Sequence, residues 1–558
     1  MQKLKVLDLF AGAGGLSLGF KQTNAFEIIM AIEKDKHAAS TYRRNNNIQV
    51  VEEDIRNLNY VNIDPSQSID VIIGGPPCQG FSNANRQRNE LISGNNQLVK
   101  EYVRAIKEIS PKAFIMENVH SMASKKQKFF LVNDKYNDIS TLGIEIYNED
   151  ILIGHAGEYA EKVYELLIDS ICKNKQIYPF ILSPDLTAKL NSLVRHYRKK
   201  NECARFFNHQ KNRTFIEKQI RSWESLFYTY KPLQSLVTDS KSLLINCLNS
   251  NGDDQKLIAN IVSLLEINQI FSRGKEAQEE NIAVNDYKIY RKKIYISVQT
   301  YTVFEYLKAT FSKLGYEIHY GTLNAAQFGV PQIRHRFIVI GVKKQFAQLP
   351  VVLPEPILQN PKDFFTIEHA IKDLEILTPT QDITSEPILK SLSQTPNILK
   401  KYLNSNTTML CNHIYTKSRD ITQQRFSQLK PGQNFHDLDE ELKSTYSDTS
   451  RTQNTIYRRL DYNEPSPTVV NVRKSMWIHP SQDRAISIRE AARLQSFPDY
   501  YIFEGPKDSQ YQQVGNAVPP LLGRAVAEKT LNLLGYKVKE SLSDLITMKN
   551  KENQVHRT

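Results

Sequence analysis

Short apolar runs alternate with amphipathic stretches through the first 120 residues. Residues 5–10 (KVLDLF) read as a buried strand, followed by a glycine turn and a helix over 15–22. Residues 27–33, 69–75 and 113–119 read as further strands, and Asp54 ends another. Helical periodicity separates them over 36–45 and 97–109. Strand and helix in this alternation predict an α/β fold, a parallel sheet with helices on both faces. The pattern resumes late, with an amphipathic stretch over 302–314 and strands over 316–323 and 336–342 (RFIVIGV).

Between these halves, residues 121–298 read as mainly helical, as over 155–173 and 257–271, and show no repeat. A basic stretch runs through this segment from Arg195 to Arg221. Pro350, Pro354, Pro356 and Pro361 mark a domain junction. The segment from there to about residue 480 is polar and irregular. After it come a short helix over 487–496, a longer one over 515–533 opened by GNAVPP, and a polar tail that is expected to fray.

Composition narrows the class. The chain has 558 residues, 40% of them hydrophobic, which is room for several domains with their own cores. The net charge of +12 permits a polyanionic partner without requiring one. Five cysteines (Cys78, Cys172, Cys203, Cys247 and Cys411) are widely spaced and form no CxxC pair. That excludes a disulfide framework and predicts a reducing compartment, the cytoplasm. No apolar run is long enough to span a membrane, and Asp8 comes too early for a signal peptide.

Four motifs carry candidate chemistry. FAGAGG (10–15) lies between a strand and a helix, where glycines let a ligand approach the backbone. It does not complete a dinucleotide fingerprint, because Ser17 replaces the third glycine. With Glu33 and Asp54 at later strand ends it suits an adenosine-bearing ligand; the alternative is a tight turn beside two surface acids. GGPPCQGFS (74–82) puts Cys78 on a stiff loop at a strand's C-terminal end, as a thiolate nucleophile or as a cysteine buried in a proline turn. Glu117, at the next strand end, is positioned to donate a proton if the two strands are neighbours. Alternation puts Gln332, Arg334 and Arg336 on one face, an array of donors for an oxygen-rich ligand or a set of surface charges. His196, Cys203, Asn208 and His209 cluster in sequence without a zinc spacing and are read as structural; no metal is expected.

FAGAGG, PPCQGFS, ENV, QIRHR, REAARLQSFPD and GNAVPP follow one another in the order shown by DNA (cytosine-5) methyltransferases. The chain resembles that family, in particular the bacterial type II restriction–modification methylases. The resemblance covers roughly residues 1–120, 300–345 and 480–535, with RRLDYNEPSPTVV (458–470) as a re-entry into the catalytic part. It implies a Rossmann-like, doubly wound, mostly parallel sheet, the fold of methyltransferases that use S-adenosylmethionine. The implied domains are a catalytic domain in three parts (1–120, 299–345 and 481–536), a helical insertion (121–298), a smaller target-recognition domain (346–480) and a tail (537–558).

The resemblance also implies a reaction, methyl transfer from S-adenosylmethionine to C5 of a cytosine flipped out of duplex DNA. Cys78 would add to C6, Glu117 would hold and protonate N3, and Arg336 would contact the base oxygen. Arg334 and Gln332 would order the loop and phosphate contacts, and the Pro76 carbonyl would accept from the exocyclic amine. Phe10, Gly12, Gly14, Glu33, Asp54, Ile55, Pro77, Leu98 and Asn516 fall where the family binds its cofactor. The implied partners are double-stranded DNA and, functionally, a cognate restriction endonuclease. The protein is expected to act as a monomer with no membrane contact.

Two other functions fit less well. tRNA-directed relatives carry a Cys-Phe-Thr triplet and a shorter recognition region, neither evident here. A silent DNA-binding protein on the same fold would have lost Cys78, Glu117 or Arg336. The family usually runs from ENV to QxRxR in a few tens of residues, whereas Glu117 and Gln332 are 215 positions apart. The long insertion is read as an extra recognition or DNA-wrapping module, an inert helical insertion or interaction surface, or a second enzyme such as a nuclease.

Overall fold

The computed structural model describes residues 2–60, 69–77, 94–172, 181–222, 233–249, 251–383, 387–390, 397–405, 407–446, 449 and 452–547. They divide into two compact units. The first takes the described residues up to Pro77, Asn95–Met122 and those from Thr310 onward; the second takes Gly94 and Ala123–Ala309.

The first unit begins with β1 (Leu4–Leu9), α1 (Gly15–Gln22), β2 (Phe26–Ile32), α2 (Lys36–Asn46), β3 (Val50–Val51), β4 (Val71–Gly74), α3 (Gly94–Ile109) and β5 (Ala113–Asn118). In the second unit follow β6 (Lys128–Phe130), β7 (Tyr147–His155), α4 (Ala160–Cys172), α5 (Pro184–Lys200), α6 (Gln210–Ser222), α7 (Gln234–Leu248), α8 (Asp254–Glu279), β8 (Val284–Tyr290) and β9 (Lys293–Thr302). After α9 (Val303–Lys313), the chain adds β10 (Tyr316–Asn324) and β11 (His335–Lys343) to the first unit.

The first unit's sheet has seven strands in the order β10-β11-β5-β4-β1-β2-β3. β1 runs parallel to β2 and β4, β2 to β3, and β4 to β5. Only β11 runs against its neighbours β5 and β10. The central strands are largely apolar, and Val6, Leu7, Leu9, Ile72, Ile73, Ile115 and Met116 have no exposed surface. That is the composition of strands covered on both faces. Strand order reverses between β1 and β4, so the loops after these two strands diverge at the crevice where open α/β sheets bind ligands.

The later segments complete this unit. In the polar segment, α10 (Asp420–Gln428) packs Phe426 into a small cluster with Leu429, Phe435, Leu438, Tyr457 and Ile478. The C-terminal part holds the short helix Ile488–Leu494, then α11 (Lys507–Asn516) and α12 (Pro520–Leu533). The single helix expected over 515–533 is thus two, broken at 517–519 where two prolines follow Val518. A Cβ on Gly15 or Gly19 would strike the backbone of Val518 or Arg524 at 2.2 or 2.4 Å, so α1 and the start of α12 touch backbone to backbone. The tail expected to fray is ordered over its described part, up to residue 547. Residues 542–547 are helical, because Leu542 and Ile546 find apolar cover and are 0% and 3% exposed.

The second unit has its own core, in which α8 contributes Leu257, Ile261, Leu264, Ile270 and Phe271. Its helices agree with the pattern of the sequence. It also contains a sheet that the pattern did not reveal, with β9 paired antiparallel to β6, β7 and β8. Among the described residues, no helix is long and apolar enough to cross a membrane.

Candidate active site

The FAGAGG turn follows β1 at the crevice. Phe10, Gly12 and Gly14 take φ values of 55°, 54° and 83°, so the chain bends sharply before α1. The Gly12 N–H donates to Glu33 Oε2 at 2.8 Å, and Glu33 Oε1 accepts from the Asp35 N–H at 2.7 Å. Burial raises the Glu33 carboxyl above its ordinary pKa. Each carboxylate oxygen can accept a second hydrogen bond, which suits the hydroxyls of a ribose. Among the described residues, nothing lies within 4 Å of where a Cβ on Gly12 would stand. Turn and acid together therefore fit an adenosine-bearing ligand.

Behind the turn is a buried polar cluster that the sequence reading missed. Asp8 Oδ2 accepts from the Ser17 hydroxyl, and the Tyr42 hydroxyl lies 3.0 Å from Asp8 Oδ2 and 2.7 Å from Ser17 Oγ. The Tyr501 hydroxyl donates to the Ala13 carbonyl at 2.5 Å. Burial pushes the Asp8 carboxyl up to about 7. Ser17, noted only as a missing glycine, anchors this cluster.

The other expected cofactor residues divide. Ile55 is buried, and its carbonyl accepts from Arg104 of α3 at 3.0 Å. Leu98, on α3, is half-buried, and Pro77 ends the described part of the loop after β4. Asn516 is exposed at the end of α11. Asp54 is held by its neighbours. Its carboxylate is held by Arg56 at 2.7 and 2.9 Å and by Lys34 at 2.8 Å, and these partners keep it well below the usual carboxylate range. It also caps its own loop, accepting from the Arg56 N–H at 3.1 Å.

β4 and β5 are adjacent, with Gly74 opposite Met116, so the loop after Gly74 starts beside Glu117. Cys78 lies outside the described residues. A Cβ on Gly75 would come within 2.8 Å of Glu117 Oε2, which shows how closely loop and carboxylate approach. Glu117 Oε1 accepts from Arg336 Nε at 2.7 Å, with side chains only 13% and 14% exposed. The Asn118 amide donates to the Pro76 carbonyl at 3.2 Å and so braces the loop. That leaves the carbonyl one further lone pair for a ligand.

Gln332 and Arg334 correct the reading of a three-residue donor array. They do share a face, but it is the buried one, at 0% and 1% exposure. The Gln332 amide donates to the Leu494 carbonyl at 3.2 Å and to Gln495 Oε1 at 2.8 Å, and its oxygen accepts from the Val469 N–H. Arg334 donates to the carbonyls of Val469, Gly515 and Ala517 at 2.7, 2.8 and 3.0 Å. Neither can reach a phosphate. They clasp the segments of three other motifs to the sheet edge, and only Arg336 faces the Glu117 end.

REAARLQSFPD is likewise internal. Arg489 donates to the carbonyls of Cys411, Pro498 and Tyr501. Arg493 pairs with Asp499 at 2.6 Å and Asp373 at 2.7 Å, and Glu490 pairs with Arg484 at 2.7 Å.

Comparison with known proteins matches this arrangement. The family model for C-5 cytosine-specific DNA methylases matches residues 4–160 and 295–532. The type II methyltransferase M.DdeI of Desulfomicrobium norvegicum is 26% identical over 544 residues, covering 94% of this chain and 88% of that protein. M1.HphI of Haemophilus parahaemolyticus is 25% identical over 535 residues, covering 95% and 87%. A prophage-encoded DNA modification methyltransferase from E. coli shares the fold, with a TM-score of 0.50, 20% identity and coverage of 96% and 100%. With the match spanning β1, the GGPP loop, Glu117, Arg336 and the clasped C-terminal motifs, the chain belongs to the C-5 cytosine-specific DNA methylase family.

Proposed function

We propose that this enzyme methylates C5 of one cytosine within a specific duplex DNA sequence, and that it protects DNA in a restriction–modification system. Bound S-adenosylmethionine supplies the electrophilic methyl group. Glu33 and the Gly12 turn hold its ribose end, with Ile55, Leu98, Pro77 and Asn516 around it. Cytosine C5 is a poor nucleophile until C6 is attacked. The Cys78 thiolate forms a bond to C6, and Glu117 gives a proton to N3, which takes up the electron pair displaced from the ring. C5 then acts as an enamine carbon and accepts the methyl group. Loss of the C5 proton to solvent expels the thiolate, and N3 returns its proton to Glu117, which restores the neutral ring. Arg336 fixes the Glu117 carboxylate and presents a guanidinium toward the base oxygen. The target base must leave the duplex to reach this site.

The observation that carries the reading is the pair Glu117–Arg336 at 2.7 Å, placed beside the loop that leads into Cys78. The polar segment 346–480 is the region proposed to read bases in the major groove. The protective role and a cognate endonuclease rest on the two relatives' being type II methyltransferases. The enzyme is proposed to act as a monomer without a metal. The test is transfer of label from S-adenosylmethionine to unmethylated duplex DNA and to bulk tRNA in parallel. Label recovered from DNA as 5-methylcytosine supports the reading, and label only in tRNA overturns it.

A further inference from the structure

The second unit concentrates the chain's charge in one place. Residues 184–222 hold ten Lys and Arg against three Asp and Glu, a net +7 within a chain total of +12. They fall between the two stretches matched by the family model, so the family's shared chemistry does not account for them. α5 buries Leu186, Leu190, Leu193 and Val194. Arg195, Arg198 and Lys199 lie one turn apart and exposed. α6 buries Ile216 and Ile220, and it exposes Lys211, Thr214, Lys218 and Arg221. At 3.6 residues per turn these four fall within an arc of about 80° and form one stripe roughly 15 Å long.

The two helices are tied together. Lys189 Nζ donates to Asn212 Oδ1 at 3.0 Å and stands 5.4 Å from the Phe215 ring. The carboxylates nearest in sequence are already paired, Glu202 with Arg205 and Glu217 with Arg213, each at 2.9 Å. Among the described residues, Arg198, Lys199, Lys200, Lys211 and Lys218 make no ion pair. No large apolar or aromatic side chain of α5 or α6 is exposed.

We infer that this α5–α6 face binds the phosphate backbone of duplex DNA without reading its sequence, an inference that rests on DNA being the substrate. One strand of B-DNA offers a phosphate about every 3.4 Å of axis, so the stripe spans roughly four phosphates. The lack of exposed aromatic rings disfavours single-stranded nucleic acid, which is held by stacking.

The experiment uses the full chain and a duplex of mixed sequence, with affinity measured against salt concentration. The variants are Lys211→Gln/Lys218→Gln/Arg221→Gln and Arg195→Gln/Arg198→Gln/Lys199→Gln. Each is expected to lower the slope of log affinity against log salt by about 2 to 3, near 0.9 per lost phosphate contact. Methyl transfer at saturating DNA keeps its wild-type rate. Lys211→Arg/Lys218→Arg keeps the wild-type slope, which separates lost charge from a disturbed helix. An unchanged slope in both triple variants overturns the inference, as does a loss confined to an RNA probe of equal length. Failure of the functional reading looks different: wild-type protein would transfer no label to DNA, whatever the slopes.

Discussion

Replacing Arg334 with Met keeps the side-chain volume but removes a buried charge and three donors. The carbonyls of Val469, Gly515 and Ala517 then lose their partners. Hydrogen bonds from a charged donor contribute about 1.5–3 kcal/mol each, so the gross loss is roughly 5–9 kcal/mol. Removing the guanidinium offsets several kcal/mol of this, because a buried charge is costly. That cost is real here, since burial and the neighbouring Arg336 charge hold Arg334 well below the usual arginine pKa. The net expectation is a destabilisation of about 2–4 kcal/mol, read as a lower urea midpoint at constant slope. Gly515 and Ala517 flank Asn516, so loosening them should also weaken binding of labelled S-adenosylmethionine about tenfold, or ~1.4 kcal/mol. Arg334→Lys should recover little, because an ammonium on one flexible stem cannot serve carbonyls on two sides as a planar fork does. Arg336→Met should behave oppositely, with near-normal stability and little methyl transfer. A loss below about 1 kcal/mol in Arg334→Met, with unchanged cofactor affinity, would refute the clasp.

Three further outcomes are expected. Cys78→Ala should bind duplex DNA by gel shift but transfer no methyl group; residual turnover would overturn its role as nucleophile. Gly75→Ala should leave the melting temperature nearly unchanged while lowering kcat on the order of tenfold to a hundredfold, because the new Cβ displaces a movable carboxylate, Glu117, from its place. Asp8 keeps its proton in the fold up to about pH 7 but releases it near 3.8 when unfolded. Its stabilising contribution is therefore complete below pH 3.8 and is lost as pH rises toward 7, by on the order of 4 kcal/mol. Asp8→Asn should flatten that part of the stability–pH profile, and denaturant unfolding from pH 4 to 8 measures it.

The central strands were legible because a strand covered on both faces is largely apolar, as in VIIG of β4 and AFIM of β5. α11 was not. Its sequence, KDSQYQQVGN, has no apolar period; buried glutamine side chains fix it, Gln510 on Asn412 and Gln513 on Thr41. Alternation correctly grouped Gln332 with Arg334 but could not tell which face was covered. Their partners lie 135 to 183 positions later, a distance no local pattern spans. Arginines such as Arg489 and Arg493 look like surface residues for the same reason. In the second unit, β7 and β8 are half-polar strands supported by β9, and in isolation they read as loop or helix margin. Glu33, Glu117 and Arg336 were singled out because each lies at or next to a strand end at the crevice, and Glu117 and Arg336 also belong to motifs whose order is recognisable.

The pairing of β5 with β11 sets a schedule for synthesis. Asn118 and Phe337 are partners, yet the ribosome makes them 219 residues apart. At ~5–20 residues per second, the outer edge of β5 waits on the order of 10–40 s for its neighbour. During that time Ala113–Met116, wholly apolar, presents unpaired N–H and C=O groups to other chains. The second unit is completed within this interval, and the carbonyls that Arg334 clasps emerge later still. Yield in a growing cell should therefore depend on translation speed and on chaperones that shield a strand edge, more than the stability of the finished protein would indicate.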